Sequence, residues 1–443
     1  MSSLLSVGLD VGTTSTQLVV SRLTVENRAS SFAVPDMDIT ERTVLYKSPV
    51  YFTPLLDESH VDGAAIREIV QAEYQKAGIR REDVDTGAII ITGETSRKEN
   101  ARAVLDALSD YAGDFVVATA GPDLESVLAA KGAGAVELSR TAGKPVLHMD
   151  IGGGTSNLAL IEDGKILRTG CLNVGGRLIK LRENGEITYV SPVLSGIAQR
   201  KTGEIATQLA LRELADKLTR ALEMAAGLRE PTDLLDKLMT EETGEKWQPP
   251  VGEVVLSFSG GVADCIAREL PWNRFGDLGP ILGQSIRSSR LCRGQYALGT
   301  ETIRATVIGA GSYSTQLSGS TVFSQNVRFP IKNLPVVEKS GGIYEGSVVL
   351  SLNGIPSPTY AQVREIAGEL AQSHPPELYI CLEADMAMAL GQALAARLPP
   401  DTRILCIDRV RVGEDSYLDI GEPVGGAFPV VVKTLVLERR QHE

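Results

Sequence analysis

Apolar side chains alternate with small or polar ones along residues 6–20, SVGLDVGTTSTQLVV. Successive side chains of a strand point to opposite faces, so Val7, Leu9 and Val11 share one face and Gly8, Asp10 and Gly12 the other. Residues 147–161, LHMDIGGGTSNLALI, repeat the pattern: Leu147, Met149 and Ile151 face one way, His148, Asp150 and Gly152 the other. Residues 10–20 align with 150–160 without a gap, matching Asp10 with Asp150, Gly12 with Gly152 and Leu18 with Leu158. Thr13-Thr14-Ser15-Thr16 then stands against Gly153-Gly154-Thr155-Ser156, small or hydroxyl-bearing in both copies. Alternation resumes after each turn, which predicts two strand–turn–strand hairpins.

Elsewhere the pattern changes period. The stretch ATQLALRELADKLTRALEMAAGL, residues 206–228, has helical spacing of apolar residues and no internal breaker. Lys217 and Arg220 on it fit a solvated face better than a ligand contact. From residue 331 onward strand-like runs (SVVLSL, LYICL, TRILCID) alternate with helix-like ones (YAQVREIAGELA, MAMALGQALAARL), a βαβ rhythm that predicts a mostly parallel sheet. The expected organisation is a first lobe over 1–145 with an insertion at 24–85, a second lobe over 146–330, and a C-terminal α/β region over 331–443. That region either completes the core or forms a separate layer. Residues 228–250 read as a charged surface excursion.

The hairpins carry the candidate chemistry. Each aspartate lies beside a bare glycine on a face with little bulk, which suits a phosphate chain close to the backbone. A glycine loop of the Rossmann or Walker type must open a helix to use its dipole. These turns join two strands instead, and their own amides form the anion nest. Mg²⁺ keeps most of its waters and touches few protein oxygens. Asp10 and Asp150 are therefore the metal candidates, holding a hydrated Mg²⁺ on the phosphates of one nucleotide gripped from both sides. A single such turn is equally well an ordinary hairpin; the matched pair is what favours a clamp. Residues 254–270, VVLSFSGGVADCIAREL, predict a strand, a Gly260-Gly261 turn and a helix, where small residues let a flat adenosine approach the backbone.

Composition narrows the field. At 443 residues the chain exceeds one ordinary core. A net charge of −12 repels phosphate backbones, so a nucleic-acid partner is not expected, and any bound anion must be held by local dipoles or a metal ion. No run of ~18 apolar residues and no basic segment leading into an apolar one is present, so neither a membrane span nor a signal peptide is expected. Five scattered cysteines without a CxxC pair suit reduced, buried thiols in a cytoplasmic setting.

The order of motifs (Asp-turn, Asp-Gly-Gly-Gly turn, then Gly-Gly-Val-Ala) resembles the actin, sugar kinase and 70-kDa heat-shock ATPase superfamily. TAGPDLESVLAAKGAGA, residues 119–135, looks like that group's connecting helix, and LNVGG, residues 172–176 with Gly175 and Gly176, like the turn after its second phosphate hairpin. More narrowly, GAIIITGETSRKENAR, DFVVATAGPDLESVLAAKGAGA, CLNVGGRLI, IRATVIGAG and the late DIGEPVGG resemble the EutA family of ethanolamine ammonia-lyase reactivating factors. The resemblance spans nearly the whole chain. It implies an actin-like (ribonuclease H-like) two-lobe ATPase fold, ATP and Mg²⁺ as cofactors, and ethanolamine ammonia-lyase as partner. The implied activity is chaperone-like: ATP binding or hydrolysis lets damaged cobalamin leave the lyase so that adenosylcobalamin replaces it. Association with an ethanolamine-utilisation microcompartment is left open by the resemblance.

The chain also departs from the superfamily. Heat-shock ATPases place a glutamate before the Pro of the connecting helix to position the attacking water, but Gly121 precedes Pro122 here. Glu94, at a turn after the apolar strand 88–91, is the candidate replacement, with Asp123 the other; for Glu94 a cap or surface charge is the alternative. The four histidines form no metal cluster. His148 shares Asp150's face, and a satisfied structural role fits it better than a phosphate contact. A small-molecule kinase of the same superfamily and a nucleotide-dependent assembly scaffold are the competing functions; a kinase needs a carboxylate base beside an acceptor pocket.

Overall fold

The computed structural model describes residues 2–12, 15–29, 37–57, 60–92, 95, 100–101, 104, 108, 122–240, 247–313, 315–319, 322–338, 347–372, 375–410, 412, 416–423 and 427–434. The first hairpin forms as its alternation predicts. Strand β1 (Ser2–Val11) pairs antiparallel with β2 (Ser15–Asn27), and Val7, Leu9 and Val11 lie in the core beneath it. β3 (Met37–Lys47) extends the sheet beyond β2, the short β4 (Tyr51–Phe52) pairs with the start of β2, and β5 (Thr86–Ile91) runs parallel to β1, giving the order β3-β2-β1-β5. Helix α1 (Gly63–Ala77) is capped by the Asp62 side chain, which accepts from Ala65 N, and ends at Gly78 in the left-handed region at φ 68°.

The stretch 24–85 is therefore not an insertion, as the sequence suggests. β2 continues to Asn27, β3 pairs along it, and Ile66 and Val70 of α1 fill the core under β1. β2 and β3 are thus part of the first sheet, and α1 covers one of its faces.

The second hairpin builds a second sheet with the same plan. β6 (Val146–Ile151), β7 (Ser156–Glu162) and β8 (Lys165–Leu172) are an antiparallel meander; β11 (Val255–Ser259) lies parallel to β6 and β12 (Tyr296–Leu298) parallel to β11. With the short β4 set aside and the sheet strands numbered in chain order, the first sheet runs 3-2-1-4 and the second 3-2-1-4-5, β12 being the extra edge strand. A two-strand ribbon, β9 (Ile179–Leu181) with β10 (Ile187–Val190), sits beside the second.

Helix α2 (Pro122–Gly132) leads, through α3 (Ala135–Thr141), into the second lobe. There α4 (Gln208–Ala225), α5 (Asp233–Leu238), α6 (Gly261–Ala267) and α7 (Gly279–Arg287) cover the sheet with a large core that includes Leu147, Met149 and Ile151. Residues 228–250 are not a plain surface excursion: Leu235 and Leu238 enter that core, and Trp247 is buried with its Nε1–H donated to Ala225 O at 3.2 Å. Sequence charge masked three apolar anchors.

Helix α8 (Ala305–Tyr313) lies within the span assigned to the second lobe, yet it packs on the first sheet and crosses α2. The crossing runs backbone to backbone. A Cβ on Gly132 would stand 1.9 Å from Ala305 O, and one on Gly309 2.0 Å from Leu128 O. Gly8 has the same job: a Cβ there would meet Val307 O at 2.5 Å. Its bareness admits a helix, not a phosphate.

The C-terminal region begins near residue 315 rather than 331. β13 (Thr315–Leu317), β14 (Phe323–Gln325), β15 (Ile331–Glu338), β16 (Val349–Leu352), β17 (Glu377–Leu382), β18 (Arg403–Ile407), β19 (Ser416–Ile420) and β20 (Pro429–Thr434) form one sheet in the order β13-β20-β19-β15-β16-β17-β18-β14. β15 to β18 are parallel, with α9 (Tyr360–Ala371) and α10 (Ala387–Ala395) as crossovers. The region has cores of its own and meets the first lobe through Val431, which packs with Ala88 and Ile90, and through the hydroxyl pair Thr86–Thr315 at 2.8 Å. It is a separate layer docked on that lobe.

Candidate functional site

The two hairpin turns face each other across a cleft of about 380 Å³ whose walls include Asp10, Gly12, Asp150, Gly152, Gly153, Gly154, Thr155, Gly176, Gly260 and Gly261. They are closed in the same way: Gly12 N donates to Ser15 O and Gly152 N to Thr155 O, each at 2.9 Å. The Gly12 carbonyl accepts from Thr53 Oγ1 at 2.8 Å and Thr95 Oγ1 at 3.0 Å. In the second turn the residues after β8 serve as the staple, with Gly176 N donating to Gly152 O at 3.0 Å and Arg177 N to Gly153 O at 2.7 Å.

The glycines divide into two groups. A Cβ on Gly154 would meet nothing within 4 Å, and one on Gly152 only Thr155 O at 3.5 Å, so both leave open space for a ligand. Gly175 serves packing, since a Cβ would lie 2.3 Å from Gly153 O. Gly260, at φ 83°, is required by the neighbouring strand, because a Cβ would stand 2.3 Å from Ile151 O. Of the Gly260-Gly261 pair, Gly261 is the one with free space in front of it, its nearest neighbour being Ile303 Cδ1 at 3.8 Å. Thr13, Thr14 and Glu94 lie outside the described residues.

Asp10 and Asp150 are both buried, 8% and 5% exposed. Asp10 Oδ1 accepts from Thr92 Oγ1 at 2.9 Å; Thr92 follows β5, whose parallel pairing with β1 sets it beside Asp10. Asp150 accepts from Ser259 Oγ and, at 3.5 Å, from Thr306 Oγ1. Burial pushes the Asp10 pKa up to about 7, the Thr92 hydrogen bond opposes this, and the charge of Asp150 adds to it. Burial raises Asp150 to about 6 against the hydrogen bonds from Ser259 and Thr306. Two desolvated carboxylates held in one cleft are destabilised as anions until a cation joins them.

His148 lies behind Asp150, wholly buried, and burial lowers its pKa to about 3, so it is neutral. Its Nδ1 lies 3.1 Å from Ser257 Oγ and its Nε2 2.9 Å from Ser259 Oγ. Because Ser259 donates its proton to Asp150, it accepts from Nε2–H, and Nδ1 accepts from Ser257. The register of β6 with β11, Ser257 beside His148 and Ser259 beside Asp150, creates this chain of hydrogen bonds. His148 is a structural histidine that orients an aspartate's neighbour.

Several site residues carry no signature in the sequence. Glu125, in the first turn of α2, lines the cleft. Asp123 does not; it accepts from Thr169 Oγ1. The Pro122 that opens α2 was the available signal, since it fixes where the first helical turn begins. At the other end of the cleft Arg177 Nε lies 3.2 Å from Asp277 Oδ2, and its guanidinium stands 5.2 Å from the Phe52 ring, joining the lobes over the opening. Phe275, Val262 and Cys265 complete an apolar wall there. Lys217 donates to Ile197 O at 3.3 Å and Arg220 is exposed, neither being among the cleft residues.

Two sheets that share a core strand order, each opening with an acidic hairpin, with α8 on the first and α2 leading to the second, define an actin-like, two-lobe fold with its cleft between the two hairpins. The family model described as Ethanolamine utilisation protein EutA matches residues 2–344 and 342–438, and the chain belongs to that family. It is 37% identical over 473 residues to the ethanolamine ammonia-lyase reactivase EutA of Salmonella typhimurium, and 37% identical over 465 residues to that of Escherichia coli, with 98% of each chain covered in both cases. Among solved structures it is similar to the ethanolamine utilization protein EutJ of Carboxydothermus hydrogenoformans, at 18% identity and a TM-score of 0.36, covering 69% of this chain and 89% of that one. It is also similar to the activator of 2-hydroxyisocaproyl-CoA dehydratase from Clostridium difficile, solved with bound ADPNP, at 10% identity and a TM-score of 0.33, covering 70% and 93%.

Proposed function

We propose that this protein is an ATP-dependent, chaperone-like reactivase of ethanolamine ammonia-lyase, promoting exchange of damaged cobalamin for adenosylcobalamin. The observation that carries the nucleotide half of this reading is the pair of matched hairpins whose aspartates, Asp10 and Asp150, enter one cleft from opposite lobes. Family membership and two relatives named as reactivases carry the partner half.

In this reading Gly12, Thr13, Thr14, Gly152, Gly153, Gly154 and Thr155 supply backbone amides and hydroxyls to the phosphates, with Gly175 and Gly176 backing the second turn. Gly260 and Gly261 border the adenosine, Gly261 by its open space and Gly260 by fixing the turn. The donor set suits Mg²⁺: the cleft offers two hard carboxylate oxygens for the ion, both destabilised as anions by burial. When bound, Mg²⁺ supplies positive charge against the phosphates. Glu94 and Glu125 are the carboxylates proposed to position an attacking water, Glu125 because α2 brings it into the cleft.

The test uses lyase inactivated by turnover, with this protein, ATP, Mg²⁺ and fresh adenosylcobalamin. Deamination is expected to recover with wild type and to stay absent with Asp10→Ala or Asp150→Ala. Equal recovery without ATP, or none with wild type, overturns the proposal.

A further inference from the structure

Among the described residues, two buried oxygens in the hairpins have no hydrogen-bond partner. Gln17 stands directly across from Asp10 in the β1–β2 register, and Asn157 directly across from Asp150 in the β6–β7 register. Directly opposed residues of antiparallel strands share a face, so each amide stands beside its carboxylate. Gln17 is 2% exposed and lines the cleft. Its Nε2 donates to the Ile303 carbonyl at 3.0 Å, which fixes the orientation of the amide, since a carbonyl accepts only from the NH₂ end. Its Oε1 is left unpaired, and so is Oδ1 of Asn157, which is also 2% exposed.

A buried acceptor left without a donor has lost its water and gained nothing in return. One such atom is easily a packing accident, but the same orphan recurs at the matched position of both hairpins. Among the described residues, no donor around the aspartates reaches either oxygen. Asp10 and Asp150 are acceptors when ionised, and Thr92, Ser259 and Thr306 already donate to them. The missing donors are not on a nucleotide's phosphates either, which only accept. A hydrated divalent cation brings both things this face lacks: positive charge for the carboxylates and outward O–H groups for the amides.

We propose that Gln17 and Asn157 complete the cation site, each accepting a hydrogen bond from a water carried by a divalent ion held at Asp10 and Asp150. This rests on the nucleotide reading given above. The two amides are positioning residues, acting through water and not on the reacting atoms. Gln17 has a second consequence. Its other end holds Ile303, three residues before the Thr306 that donates to Asp150, so ordering the Gln17 oxygen ties both hairpins to the segment entering α8.

Electron paramagnetic resonance titration of Mn²⁺ onto the full-length protein, with and without ATP, tests this directly. Gln17→Met and Asn157→Leu are expected to weaken Mn²⁺ binding about tenfold each, the loss of one hydrogen bond to a charged group. Their affinity for ATP in EDTA stays at the wild-type value. Asn157→Asp restores an acceptor and binds Mn²⁺ at least as tightly as wild type. Wild-type protein that binds no Mn²⁺ with ATP overturns the nucleotide reading, and this inference with it. Wild-type binding that survives undiminished in the Met and Leu variants overturns this inference alone. Where those variants fail to fold, weakened Mn²⁺ binding in folded Asn157→Asp overturns it as well.

Discussion

Below about pH 7 Asp10 favours its protonated form, because burial and the Asp150 charge lift its pKa from 3.8 to about 7. Between those values the folded state binds a proton that the unfolded chain does not, so the Asp10 contribution to stability falls as pH rises from about 4 to about 7. Asp10→Asn removes that penalty and keeps an acceptor for Thr92. At pH 8 without nucleotide it is expected to be more stable than wild type by on the order of 2–4 kcal/mol. The advantage disappears near pH 4, and denaturant unfolding at a series of pH values reads it. The same variant loses cation binding. A second prediction separates glycines that look alike in sequence. Gly154→Ala meets no neighbour and is expected to fold like wild type while binding ATP several-fold more weakly. Gly260→Ala, clashing with Ile151 O, costs stability by about 1–3 kcal/mol or more, and calorimetry distinguishes the two.

At the scale of elements the decisive contact is the crossing of α2 with α8. The bare Cα atoms of Gly132 and Gly309 let the two backbones touch, which a hydrophobic pattern does not report. Gly132→Ala has to push a Cβ against Ala305 O, moving α8 and with it Thr306, which donates to Asp150. The expected result is a lower unfolding midpoint together with weaker nucleotide binding, whereas Gly78→Ala, at the end of α1 with nothing within 4 Å, lowers the midpoint only. Equilibrium unfolding paired with ATP titration checks both. The hairpins themselves were legible as strand, turn and strand, since period-two alternation and the glycine-containing turns of small residues suffice. The role of Gly8 was not, because its facing partner is a helix some three hundred residues away.

For the whole molecule, the proposed nucleotide site draws its walls from both lobes, so a bound ligand is expected to stabilise the pair together. ATP with Mg²⁺ at a hundredfold its dissociation constant is expected to stabilise the fold by about 2.7 kcal/mol. Asp150→Asn removes the shift, and a thermal scan with and without ligand measures it. Arg177→Ala, which loses both the Asp277 pair and the contact to Phe52 across the opening, is expected to speed nucleotide release more than it slows binding. Stopped-flow release of a fluorescent nucleotide checks this.

The sequence alone determined the two acidic hairpins, their likeness to each other, and the βαβ rhythm of residues 349–407, because these follow from short-range alternation and turn chemistry. The sheet it predicts as mostly parallel is mixed, with β13, β14, β19 and β20 antiparallel to their neighbours. The sequence did not determine that α8 belongs with the first sheet, that Trp247 is buried, or that 37–47 continues the sheet, since each depends on a partner far along the chain. Nor could it select Glu125 as the cleft carboxylate of α2: a helix start is visible in Pro122, but which side of that helix meets the opposite lobe is fixed by packing. Gln17 and Asn157 show the division most plainly. Their pairing with Asp10 and Asp150 is written in the spacing of two hairpins, while the vacancy at each oxygen appears only once every neighbouring donor has been placed in three dimensions.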